Sequence, residues 1–223
     1  MRMMGVFEKS ERLRHIGHLD IMRSTQRALR RSGLPVSYSK GFNPHILITF
    51  ASALSTGAVG RNEMMDVTLD RDVTPEEFLT AMNAAMPPDM QLKSAKVLDD
   101  KHPALMAMVQ AAEYDLKLLD EDVAAKCVAA IPAFLEQESI MAMRKTKSGI
   151  KECDIRPLLF KVESEGQHIY ATMTLTERMS CKPDMLVKAL CDFAGCEVPR
   201  VLVTRNRLYG MNEAGELTPL ELL

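Results

Sequence analysis

The sequence predicts an α+β protein built from two βαββαβ halves, each with an antiparallel sheet. Helical apolar stripes bounded by glycine and proline alternate with short apolar runs. The order of those segments in the first half recurs in the second, without evident sequence identity between them. At 223 residues, with 47% hydrophobic and 26% charged side chains, the chain suits two globular cores of roughly a hundred residues each.

In the first half, residues 1–98, the apolar start at Met3 to Phe7 reads as a strand and Glu8 to Glu11 as a polar turn. From His18 to Ser32 the period is helical: Ile21, Met22, Thr25, Ala28 and Leu29 share one face, and Arg23, Arg27, Arg30 and Arg31 the opposite one. Gly33 caps this helix, Pro35 cannot continue it, and a strand is expected near Val36. Tyr38 to His45 is turn chemistry. The apolar run Ile46 to Phe50 and a strand ending in Met65 to Leu69 read as a hairpin, joined by the small residues from Ser55 to Asn62. Thr74-Pro75-Glu76-Glu77 combines an N-cap, a proline at the first helical position and a capping-box glutamate. Phe78, Leu79, Met82, Ala85 and Met86 form the apolar stripe of that helix, Pro87-Pro88 stops it, and Gln91 to Leu98 is the closing strand.

Residues 99–112 read as a linker or short helix, and the order then repeats over residues 113–223. A strand at Tyr114 to Leu119 leads to a helix from Asp120 that ends or kinks near Pro132. A hairpin with a basic stem is expected from Ser139 to Leu175, then a helix from Pro183 to Gly195 and a last strand from Arg200 to Leu208. Each half thus matches the split βαββαβ unit, and the expected architecture is two tandem ferredoxin-like halves with helices on one face of each sheet.

Composition excludes several classes. No apolar run approaches the ~20 residues of a spanning helix, so a cytoplasmic protein is expected. Five cysteines, odd in number and irregularly spaced, argue against a disulfide framework and suit a reducing compartment. No two lie close enough in sequence to form a structural zinc knuckle, so no metal is expected on this chain. The net charge of −2 hides a polarity. Residues 1–48 carry nine Lys and Arg against three Asp and Glu, a net +6, and residues 49–138 carry a net −9. Such a distribution orients an anionic partner.

Two basic surfaces follow. Arg23, Arg27, Arg30 and Arg31, with Arg12, Arg14 and Lys40 nearby, are either a phosphate-contacting face or a solvated helix face. Arg144, Lys145 and Lys147, continued by Lys151 and Arg156, have the length and turn residues of a β-ribbon finger. Aromatic side chains make up 5% of the chain and tryptophan is absent, which favours backbone or shape contacts over base stacking. His18 either fixes the helix entrance and His45, after Asn43-Pro44, stabilises a turn, or the two work as a general acid and base in RNA cleavage. Glu63 and Asp66 are either ion-pair partners for the basic helix or cation ligands.

The run from Arg12 to Gly57, the segment Asn62 to Leu69 and the later segment Arg144 to Leu159 together resemble the radical SAM-linked protein family, an uncharacterised bacterial domain encoded beside or fused to radical S-adenosylmethionine proteins. The matching positions include His18, Asp20, Arg30, Arg31, Gly41, Phe42, Asn43, Pro44, His45, Glu63, Asp66 and Asp154; Ile46 stands where a proline is usual. The resemblance implies that an iron–sulfur cluster and S-adenosylmethionine belong to the partner enzyme. Family members are often encoded near ribosomal-protein and ribonuclease genes, which implies a link to RNA. The expected function is therefore a partner or substrate-recognition protein of a radical S-adenosylmethionine enzyme, acting on RNA or a ribosome-related substrate and without catalysis of its own. The alternative, from fold analogy, is a metal-independent RNA-processing endoribonuclease.

Overall fold

The computed structural model describes residues 1–146 and 149–223, without the side chains of 145 and 146. The protein is a mixed α+β structure, with mostly antiparallel strands and five α-helices among the described residues. It divides into two compact units, Met1–Val109 with Gly210–Leu223, and Gln110–Tyr209. The segment 99–112, expected as a linker or short helix, contains the short helix α3 (Leu105–Met108) and the start of the next strand, and the chain's last residues group with the first unit.

In the first unit the elements run β1 (Arg2–Lys9), α1 (His18–Arg31), β2 (Ile48–Phe50), β3 (Ala58–Thr68), α2 (Pro75–Ala85) and β4 (Leu92–Leu98). The antiparallel order is β4-β1-β3-β2. Alternation along the central strands sends Met3, Phe7, Met65 and Val67 to one side, where they pack with Ile21, Ala28 and Leu29 of α1 and Phe78 and Met82 of α2. The apolar stripe read from the sequence is thus the buried one. Thr74 accepts the Glu77 N–H through its hydroxyl at 3.1 Å, and Gly33 turns the chain after α1 with φ +74°. The strand expected near Val36 does not form: Val36 and Tyr38 make only isolated bridges to Leu69 and Ile46. Pro35 and the turn residues after Tyr38 leave too little uninterrupted backbone there for a ladder. β3 also starts at Ala58, inside the expected connection, and the turn is confined to the residues before it.

The second unit runs β5 (Ala111–Leu118), α4 (Glu121–Leu135), β6 (Met141–Thr146), β7 (Gly149–Asp154), β8 (Leu159–Glu165), β9 (His168–Thr174), α5 (Pro183–Phe193) and β10 (Val201–Met211), which ends in the first unit. Its antiparallel order is β10-β5-β9-β8, with β6-β7 a separate two-stranded sheet. The single hairpin expected over Ser139 to Leu175 is therefore two hairpins. Pro157 and the turn around it interrupt the ladder, so β8 begins afresh at Leu159. Pro132 sits inside α4 rather than ending it, and the helix runs to Leu135. A last short strand, β11 (Leu217–Pro219), was not expected. Among the described residues no helix is long and apolar enough to cross a membrane.

Candidate functional site

The start of α1 meets β1 and β3 at a register fault. Phe7 pairs with Glu63 and Lys9 with Gly60, so a two-residue step on β1 faces a three-residue step on β3. Such a bulge re-aims the side chains beside it. Around it lies a small, partly open hollow, lined by Lys9, His18, Ser52 and Glu63 among the apolar groups Phe7, Ile21, Phe50 and Leu54. The His18 ring meets Phe50 edge-on at 5.3 Å. Lys9 is 2% exposed and Glu63 4%. Opposite charges in one hollow offset part of the cost of taking each from water, and the Lys9 ammonium also donates to the Arg14 carbonyl at 3.1 Å. Gly60 makes room for this: a Cβ there would lie 2.5 Å from Cγ of Glu63 and 2.8 Å from its Oε1. An ammonium, an imidazole, a hydroxyl and a carboxylate thus meet at a half-apolar opening with room for about one water-sized group. Lys9 escaped the sequence reading because a lysine at a strand end reads as surface.

The other histidine and acids singled out from sequence lie elsewhere. Asp66, three residues beyond Glu63, points to the opposite side of β3. It accepts from Arg2 Nε at 3.1 Å and Nη2 at 2.5 Å, while its buried Oδ1 has no partner among the described residues. Its ion-pair partner is thus on β1 and not on the basic helix. Asp20 is exposed and paired with Arg23 at 3.0 Å. His45 closes a surface loop: its Nδ1 and the Ser39 hydroxyl are 2.8 Å apart, and the Ser39 N–H donates to the His45 carbonyl at 2.8 Å. Gly41, at φ +124°, lets the loop turn, and Phe42 stands fully exposed at its tip, with Lys40, Asn43 and Pro44 also exposed.

The basic residues divide into exposed and structural ones. Arg23, Arg27 and Arg30 project from α1 into solvent, and Arg12 is exposed beside Asp89 at 3.9 Å. Arg31 is exposed but tied to the Ala85 carbonyl at 2.7 Å. Arg14 is mostly covered and donates to the Gly57 carbonyl from Nε and Nη2 at 3.3 and 3.2 Å, which anchors the turn before α1. In the second unit Lys151 is exposed on β7 and Arg144 half-buried on β6. Arg156 donates to the Leu135 carbonyl at 3.1 Å. Lys147 and the side chain of Lys145 lie outside the described residues. Asp154 fastens the hairpin base, its Oδ1 accepting the Ile140 and Arg156 N–H groups at 2.9 Å each. Those two bonds, the first foremost, hold its carboxyl below the usual carboxylate range.

Spacing did not reveal two further groupings in the second unit. Asp115 and His168 are paired at 2.7 Å across β5 and β9, with Tyr170 stacked on the imidazole at a centroid distance of 6.0 Å. Cys127, Cys191 and Cys196 bring their sulfurs within 4.8 Å of one another. Among the described residues, these three form the group whose donor atoms could hold a metal.

A family model described as an uncharacterized protein conserved in bacteria (DUF2344) matches residues 2–188. No curated protein matches the sequence.

Proposed function

This chain belongs to that uncharacterized family conserved in bacteria, and we propose that it is a recognition protein that holds RNA or a ribonucleoprotein substrate for a radical S-adenosylmethionine enzyme. The observation that carries the reading is the face of α1, where Arg23, Arg27 and Arg30 are exposed and, of these, Arg23 alone has a described acidic partner. Guanidinium groups on successive turns of one helix can follow a phosphate backbone with forked donors. The tied loop from Ser39 to His45 supplies a second surface of different chemistry. A fully exposed phenylalanine on a braced turn is an anchor for a protein pocket, and we assign the enzyme to it. The cluster and S-adenosylmethionine belong, in this reading, to the enzyme. Each unit is further read as ferredoxin-like, which the strand orders β4-β1-β3-β2 and β10-β5-β9-β8 support. Tagged protein recovered from its native cells should bring down both RNA and a radical S-adenosylmethionine protein, with Phe42→Ala losing the enzyme and keeping the RNA. Recovery of neither overturns the proposal.

A second reading is a metal-independent endoribonuclease, favoured by the placement of His18 beside Lys9 and Ser52 in one hollow. Purified protein incubated with small RNA and a chelator should then cleave it, with His18→Ala abolishing cleavage and His45→Ala leaving it intact. An unchanged RNA pattern at high protein concentration removes this reading.

A further inference from the structure

The geometry points to a metal site in the second unit, formed by Cys127, Cys191 and Cys196, that takes a thiophilic d10 cation such as Zn²⁺.

The site follows from how the two helices end and face. Cys127 lies on the buried stripe of α4 with Ala124, Ile131 and Phe134, and Cys191 on the buried face of α5. After α5, Gly195 takes φ +65° and reverses the chain, and the Cys196 N–H donates to the Cys191 carbonyl at 2.9 Å. That reversal returns the third sulfur to the first two, which no spacing along the chain announces. Sγ of Cys127 is 3.7 Å from that of Cys191 and 3.8 Å from that of Cys196. With Zn–S bonds of about 2.3 Å, a tetrahedral ion holds its sulfurs about 3.8 Å apart. Two of the three sulfur pairs therefore stand at the edge length of the coordination polyhedron before any ion arrives, and the third pair lies within 4.8 Å. Cys127 and Cys191 are fully buried, whereas Cys196 is half-buried, so the group reaches toward the surface at one corner. Among the described residues the group offers three ligand atoms, which leaves the fourth position to water or to a thiolate or imidazole from a bound partner.

Electrostatics separate the thiol from the metal-bound form. Burial, foremost, pushes the Cys127 thiol far above its ordinary value and the Cys191 thiol up to about 11, the latter with a contribution from neighbouring Asp192. The carbonyl end of α5 also disfavours a bare thiolate and favours a cation. On binding, each S–H bond is replaced by a Zn–S bond and its proton leaves to solvent, with no change in oxidation state.

The test uses the full chain kept reduced with a phosphine. Titration with Co²⁺ should give saturable thiolate-to-cobalt absorption at one equivalent, bleached by Zn²⁺. Cys196→Ala, chosen because its side chain is the least buried of the three, should weaken Zn²⁺ by more than the roughly 100-fold that loss of an outer-shell partner costs. Cys153→Ala, outside the group, should leave binding unchanged. Absence of thiolate–cobalt absorption in the reduced wild type overturns the site, as does the same absorption and affinity in Cys196→Ala with its far-ultraviolet circular dichroism intact.

Discussion

Gly60 and Glu63 set the shape of the hollow at the start of α1, and their relation is steric. A methyl group at Gly60 would occupy the space of the Glu63 side chain, 2.5 Å from Cγ. Gly60→Ala should therefore destabilise the protein by about 1–3 kcal/mol, and by much less when Glu63 is already alanine. Denaturant unfolding of the two single variants and the double variant measures that coupling, and additivity of the two effects would contradict it. Asp154 gives a prediction with a defined sign. Its folded carboxyl is held below the unfolded value, chiefly by the Ile140 N–H, so its charge contributes stability above about pH 4 and loses it as pH falls through the folded value. Asp154→Asn keeps an oxygen acceptor and removes the charge. Wild type should exceed the variant in stability near neutrality and converge with it in acid, as read by thermal unfolding across pH. At this scale the sequence was legible where a residue acts on its neighbours, as Thr74 does on Glu77. It was illegible for Lys9, whose burial depends on strands that meet only in three dimensions.

Among the elements, α2 was legible from both ends because its signals are local. Thr74 caps it, Pro75 opens it, and Pro87 follows close after its end. Thr74→Ala removes the acceptor for the Glu77 N–H and should cost about 1 kcal/mol, seen as a lower denaturation midpoint with an unchanged slope. Strand signals travelled less well. The stretch from Val36 to Ile46 reads as strand and turn, but with Pro35 before it and the Ser39–His45 tie within it, the backbone makes isolated bridges instead of a ladder. Pro157 split an expected long hairpin for the same reason, that a proline removes a ladder donor. On α1 the two faces were readable from period alone, and the structure adds which arginines are engaged: Arg31 with α2, and Arg23 with Asp20. Arg27 and Arg30 are therefore the better probes of any ligand on that face.

For the molecule as a whole, the alternation of helix and strand made the α+β class and the sequence of elements readable, whereas sites made by distant segments were not. Cys127 and Cys191 are 64 residues apart, and only the packing of α4 on α5 makes them neighbours. The same holds for Asp115 and His168, joined by strand register. The basic surface, by contrast, was visible in the charge pattern, since residues 1–48 carry a net +6 against −2 for the whole chain. Whether that surface contacts phosphate is decided by the salt dependence of binding. Each phosphate neutralised on a single strand contributes roughly 0.7 to the slope of log affinity against log salt. Titrating a short single-stranded RNA into wild type and into Arg27→Ala/Arg30→Ala across a range of salt concentrations should show weaker binding by the variant and a slope shallower by about 1 to 1.5. Equal affinity and equal slope in the two proteins would contradict RNA recognition by α1.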